Sequence, residues 1–97
     1  MHARVTRMQA KPGRVDDIVR ISRESVVPRV REQKGFMGVV QLVDRETDRA
    51  ISITLWETLA DLEAVEQGGA YAWAIGTVID AFAEPYEREV WEVSIRE

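Results

Sequence analysis

The chain has no cysteine, no asparagine and a single histidine, His2. The missing thiols exclude disulfides, thiolate metal sites and a cysteine nucleophile, whichever compartment the protein occupies. Apolar runs are short. None approaches the ~20 residues needed to cross a bilayer, and Met1-His2-Ala3-Arg4-Val5-Thr6-Arg7 lacks the apolar stretch of a secretory leader. The expectation is a cytoplasmic protein with no membrane partner. Basic residues are outnumbered, 13 Lys and Arg against 17 Asp and Glu, for a net charge of −4. Such a balance gives a nucleic-acid backbone or an anionic lipid surface nothing to bind. No glycine-rich phosphate loop, Ser/His/Asp set or metal-ligand spacing is present, so nucleotide, hydrolase and metal chemistry have no visible parts, and no metal is expected.

What remains is ordinary for a folded domain: 97 residues, 45% apolar and 31% charged. The whole chain, 1–97, reads as one domain. A core this small leaves much apolar surface to cover, which makes self-association a reasonable expectation.

Alternation marks the strands. Over residues 2–9, Ala3, Val5 and Arg7 point one way and His2, Arg4, Thr6 and Met8 the other. A second strand runs from Phe36 to Val43, with rows Phe36, Gly38, Val40, Leu42 and Met37, Val39, Gln41, Val43, both largely apolar. The polar turn Asp44 to Arg49 joins it to a third strand, Ala50 to Glu57, in which Ile51, Ile53 and Leu55 oppose Ser52, Thr54 and Trp56, so the two form a hairpin. Residues 86–96 alternate as a fourth strand, with Trp91, Val93 and Ile95 on one side.

Helical spacing fills the gaps. Val15, Ile18, Ser22, Ser25 or Val26, and Val30 form one stripe after Pro12-Gly13, with Pro28 expected to bend that helix or end it early. Thr58 and Asp61 form the cap of a second helix whose buried stripe is Leu59, Leu62 and Val65, and Gly68-Gly69 break it. A further helical stretch carries Tyr71, Ile75, Val78 and Phe82 on one face and Trp73, Gly76, Thr77 and Asp80 on another, until Pro85 stops it. The order βαββαβ with right-handed crossovers gives an α+β fold, a four-stranded antiparallel sheet with its helices on one face. An apolar face is then left bare, and a two-fold dimer would cover it. RNA-recognition domains share this strand order but need exposed aromatics on the central strands and a basic surface, and Ile51-Ser52-Ile53-Thr54-Leu55 supplies none.

Gly35-Phe36-Met37-Gly38-Val39-Val40, Asp44-Arg45-Glu46-Thr47 and Ser52-Ile53-Thr54-Leu55-Trp56-Glu57-Thr58, preceded by Lys11-Pro12-Gly13-Arg14 and Glu24-Ser25-Val26-Val27-Pro28, resemble the antibiotic biosynthesis monooxygenase (ABM) family over almost the whole chain. The resemblance implies a ferredoxin-like protomer, a homodimeric α+β barrel and a mostly apolar pocket between sheet and helices. Trp56 matches the family's strand-end tryptophan, which lines the substrate pocket in phenol-oxidising members. Those members carry Asn four positions earlier and Tyr six positions later, where this chain has Ser52 and Leu62. Haem-degrading members bind iron through a histidine in the second helical region, a position His2 does not match.

The function this implies is cofactor-independent monooxygenation of a small phenol- or quinol-type aromatic, with Trp56 and Ser52 as the catalytic candidates and Phe36, Leu62, Tyr71 and Trp73 as substrate contacts. No cofactor is implied. Each candidate also has a plainer role. Trp56 suits a core or interface, Tyr71 a hydrogen-bonded core position, and Trp73 a dimer contact as well as a pocket wall. The alternative function is a non-catalytic dimer of the same fold that binds a small hydrophobic ligand or serves as an interaction module.

Overall fold

The computed structural model describes residues 1–97. Its elements run β1 (His2–Gln9), α1 (Val15–Ile21), a π turn (Ser22–Val26), α2 (Val27–Val30), β2 (Phe36–Asp44), β3 (Arg49–Trp56), α3 (Leu59–Gln67), α4 (Ala70–Val78), a short 3₁₀ turn (Ile79–Ala81) and β4 (Glu87–Glu92). The sheet order is β2-β3-β1-β4 with all neighbours antiparallel, the expected ferredoxin-like α+β arrangement. No helix is long and apolar enough to cross a membrane.

The register assigns the two sheet faces. Directly opposed residues share a face, so the pairs Arg4↔Thr54, Thr6↔Ser52, Met8↔Ala50, Val39↔Thr54 and Gln41↔Ser52 put one row from each of β1, β2 and β3 together. Thr6 hydroxyl to Tyr71 hydroxyl, and Met8 packed with Ile18 and Ile75, show that this face meets the helices. On the opposite face Val5 pairs with Ile53, Val40 with Ile53 and Leu42 with Ile51, and Ala3 with Trp91. That face has no cover. Val40 and Leu42 are each 49% exposed and Trp91 57%.

Four expectations need correction. The first concerns Phe36. β2 carries a bulge between Phe36 and Gly38, where Gly38 adopts φ 151°, a conformation open chiefly to glycine. The extra residue, Met37, shifts the alternation, so Phe36 pairs with Trp56 on the helix-facing side and leaves the row of Val40 and Leu42. The second concerns the first helix. Pro28 does not end it, and the helix departs from α geometry just ahead of the proline, in the π turn at Ser22–Val26. Proline cannot donate to the carbonyl of Glu24 and its ring crowds that oxygen, and the backbone responds by widening, with the Val27 N–H donating to the Ser22 carbonyl five residues back.

Third, the α3 stripe shifts. Leu62 and Val65 are buried, but Leu59 is exposed and Asp61 is buried in its place. Thr58 caps the helix as expected, its hydroxyl accepting from the Asp61 N–H at 3.0 Å. Fourth, the last helix and strand are shorter than their patterns. Ile79–Ala81 closes α4 early and Phe82 is extended, its bridge to Ala10 replacing a helical position. β4 stops at Glu92 because its partner β1 begins at His2, so Ile95 is left exposed.

The core has two parts. Met8, Ala10, Val15, Ile18, Ala50, Ile75, Val78, Ala81 and Phe82 gather at one end of the sheet, and Val30, Trp56, Leu62, Val65 and Ala70 at the other. Between them the first helix stands off the sheet. The chain enters β2 through Gly35 at φ 83°, whose carbonyl accepts from the Glu57 N–H at 2.8 Å. A Cβ at Gly35 would collide with the Asp61 carboxylate as well as strain the backbone. Gly35→Ala is therefore expected to cost about 2 kcal/mol or more, read as a lower midpoint in urea denaturation with the slope unchanged; an unaltered midpoint would contradict the close approach.

Candidate functional site

Between the two cores lies a cavity of about 470 Å³, floored by Val39, Gln41, Ser52 and Thr54 and roofed by Val19, Ser22, Val26 and Val30, with Phe36 at one side. A smaller lobe of about 70 Å³ adjoins it toward α4 and shares Ser22, Val26, Val30, Ser52 and Thr54 as walls, adding Arg4, Thr6 and Tyr71. The widened turn at Ser22–Val26 forms the roof over both. π turns of this kind occur often at functional sites, because they re-aim side chains that a regular helix would bury.

A polar trio crosses the larger chamber. The Gln41 side-chain amide donates to Ser22 Oγ at 3.1 Å and to Ser52 Oγ at 3.0 Å. Both amide hydrogens are thus committed, the amide oxygen remains an acceptor, and each serine hydroxyl keeps its own hydrogen to donate. Gln41 and Ser52 are directly opposed in the hairpin, so the register itself brings them together.

The smaller lobe is built around a buried cation. Arg4 is 3% exposed, and its guanidinium lies 4.1 Å from the Tyr71 ring centre and 5.6 Å from that of Trp56. Burial pushes the Arg4 pKa down, partly offset by Tyr71 and Glu66. Tyr71 Oη and Thr6 Oγ1 are hydrogen-bonded at 2.9 Å. Burial also raises the Tyr71 pKa, against the pull of Thr6 and Arg4, so the phenol stays protonated at neutral pH. Behind the lobe, Arg88 forms two short bonds to Glu66, of 2.6 and 2.7 Å.

Of the residues singled out in the sequence, Ser52, Phe36 and Tyr71 come together on the cavity walls. Trp56, Leu62 and Trp73 do not. Trp56 is fully buried on the helix-facing side, edge-to-face with Phe36, and reaches the cavity only through its Nε1, which donates to Thr54 Oγ1 at 2.9 Å. Leu62 is packed beside it in the core. Trp73 lies under the Arg29 guanidinium at 4.3 Å, tying α4 to α2 away from the walls of either lobe.

Sequence reasoning missed Arg4, Thr6, Ser22 and Gln41. Gln41 carried a signal, being the one polar residue in the row Met37, Val39, Gln41, Val43. Arg4 did not, because a row of His2, Arg4 and Thr6 beside Ala3 and Val5 looks like the solvent side of a strand.

A second depression, about 360 Å³, lies across the other end of the sheet and includes Arg7, Asp44, Arg49, Glu84 and Glu87. Its arginines are already matched, Arg7 with Glu89 at 3.3 Å and Arg49 with Asp44 at 3.8 Å. No three His, Cys, Asp or Glu side chains meet in a group suited to a metal ion.

Comparison with known proteins bears on this arrangement. A protein of Bordetella bronchiseptica assigned to the antibiotic biosynthesis monooxygenases superposes with a TM-score of 0.82 at 20% identity, over 97% of each chain. SnoaB of Streptomyces nogalater, a cofactor-independent oxygenase, superposes with a TM-score of 0.77 at 12% identity, over 98% of this chain and 94% of that one. In sequence, an uncharacterised protein of Mycobacterium tuberculosis strain H37Rv is 39% identical over 64 residues, which are 66% of this chain and only 27% of that protein's length. The sequence profile of the family described as antibiotic biosynthesis monooxygenase matches residues 1–75, so this chain belongs to that family.

Proposed function

We propose that the protein is a cofactor-independent monooxygenase of a small phenol- or quinol-type aromatic, held in the chamber between the sheet and the widened helical turn. The observation that carries this reading is a largely apolar cavity containing the Ser22–Gln41–Ser52 trio. Family membership and the likeness to a cofactor-independent oxygenase support it.

The chemistry needs little from the protein. An apolar chamber strips water from the substrate, and a hydroxyl donor set against its phenolic oxygen favours the anion, which is the form able to pass an electron to oxygen. Ser52 Oγ would be that donor, and its hydrogen bond from Gln41 at 3.0 Å supports the role. The amide function that phenol-oxidising relatives carry at the Ser52 position would come here from Gln41, one strand over. Radical recombination then forms a carbon–oxygen bond at the activated ring carbon. For a ring methylene the balance is CH₂ plus O₂ to C=O plus H₂O, one oxygen atom retained and the other leaving as water. Phe36 and Tyr71 would contact the substrate, and Trp56 would act as a positioning residue through Thr54.

The expected result is oxygen consumption above the autoxidation blank when purified, metal-free protein meets a panel of anthrols, naphthols and quinols. Ser52→Ala should lower the rate about tenfold or more, the worth of a hydrogen bond to a charged oxygen. No turnover of any phenol would favour the second reading, a binding protein without catalysis. One observation speaks for that reading: Trp56 and Leu62 are sealed in the core and do not line the chamber.

The bare sheet face is proposed to meet its counterpart on a second copy, closing a two-sheet barrel. Val40, Leu42 and Trp91 provide its exposed apolar area, and Ile51, Ile53 and Leu55 continue it. Leu42→Glu would place a charge at the centre of that contact. In a sizing column the wild type should elute as a dimer and Leu42→Glu as a folded monomer; equal elution of the two would contradict the assignment of this face.

A further inference from the structure

Arg4 is a cation without a full set of partners. Its Nη1 is buried and makes no hydrogen bond. The nearest carboxylate oxygen, Glu66 Oε1, pairs with it at 3.5 Å, longer than a charge-assisted hydrogen bond. Glu66 is otherwise engaged, since both its oxygens accept from Arg88. Two guanidinium groups thus share one carboxylate, and Arg4 holds the longer of the two pairings. The Tyr71 and Trp56 rings cushion the cation through their faces, but a ring face accepts no directed N–H bond of full strength.

A buried donor left unsatisfied is costly, and where a native protein retains one an accepting ligand is a ready explanation. The neighbouring hydroxyls supply a second donor. Thr6 and Tyr71 share one hydrogen bond, so whichever of them accepts keeps a free hydrogen. Arg4, Thr6 and Tyr71 thus line one lobe of about 70 Å³, where a guanidinium and a hydroxyl with a hydrogen to spare border room for two oxygen atoms and the carbon between them. The adjoining chamber of about 470 Å³ has Val19, Val26, Val30, Phe36 and Val39 among its walls and suits a ring system.

We propose that the protein binds an aromatic acid, its carboxylate docked on Arg4 with Thr6 and Tyr71 and its ring system in the larger chamber. The assignment rests on the reading of this cavity as the ligand site and specifies the ligand's charged end. A carboxylate fits better than a phenolate, because it is ionised at every physiological pH without help and offers two oxygens to two donors.

Three probes of one ring size test it: 2-naphthoate, 2-naphthol and the neutral 2-naphthalenemethanol, titrated into wild type and Arg4→Met by calorimetry under nitrogen. Wild type should bind 2-naphthoate about tenfold or more tightly than the alcohol. Arg4→Met should erase that preference while holding the alcohol as before. Equal binding of the three probes by wild type, or a preference that survives Arg4→Met, overturns the proposal, and so does an Arg4-dependent preference for 2-naphthol alone. Should Arg4→Met fail to fold, Tyr71→Phe keeps the ring beneath the guanidinium and removes only the hydroxyl. It should weaken 2-naphthoate binding severalfold and leave the alcohol unchanged; no change in either refutes the site. Binding is read without turnover, so an Arg4-dependent carboxylate preference in a protein that consumes no oxygen would sink the oxygenase reading alone, and phenol turnover without that preference would sink this one alone.

Discussion

A guanidinium enclosed between a sheet and a helix needs aromatic faces, carboxylates or ligands around it, because water no longer serves. Arg4 sits at that point in the structure, and the elements around it are arranged by its demands. Tyr71 comes from α4, Trp56 from the end of β3, Glu66 from α3, and Arg88 from β4 competes for the same carboxylate. Four elements thus converge on one cation in the central strand. Replacing such a group by an apolar one of like volume is often harmless to stability, so its retention needs a reason other than holding the fold together. A ligand's negative charge provides one.

The space in front of Arg4 has a separate origin. Pro28 lacks the N–H that a regular helix requires, and the backbone absorbs the loss by a wider turn at Ser22–Val26. The widened turn roofs the cavity and presents Ser22 to Gln41. Opposite it, the bulge at Met37 turns Phe36 from the bare face toward the cavity. Two local departures from ideal geometry, one in a helix and one in a strand, therefore shape the same chamber. Regular elements with the same residues would pack Val26 and Val30 onto the sheet more closely and leave less room.

Much of the fold was legible because it rests on periodicity. The hairpin, the Thr58 cap, the Gly68-Gly69 break and the four-strand order all follow from patterns of one or two kinds of residue. The bare apolar face was legible too, from Ile51, Ile53 and Leu55 in one row and from Val40 and Leu42 in another. Where the pattern failed, the cause was a constraint that alternation does not encode. A bulge moved Phe36, the lack of a partner strand shortened β4, and pairing with Ala10 pulled Phe82 out of its helix. The candidate site was only half legible. Tyr71 could be singled out by type and position and Ser52 only through the family resemblance, whereas Gln41 depends on strand register and Arg4 on knowing that the polar row of β1 faces inward. Trp56 is conspicuous in sequence, and the structure places it in the core behind Thr54, the plainer of the roles its type allowed.

The central claim is that the helix-facing side of the sheet, not the bare side, receives the ligand. Methyl NMR of the protein titrated with 2-naphthoate tests it most directly, since valine, leucine and isoleucine methyls mark both faces. The account predicts shifts at Val26, Val30, Val39 and Ile75, which line the two lobes, with Val40, Leu42 and Ile53 unmoved. Shifts confined to Val40, Leu42 and Ile53 would contradict it and place binding on the outer face instead.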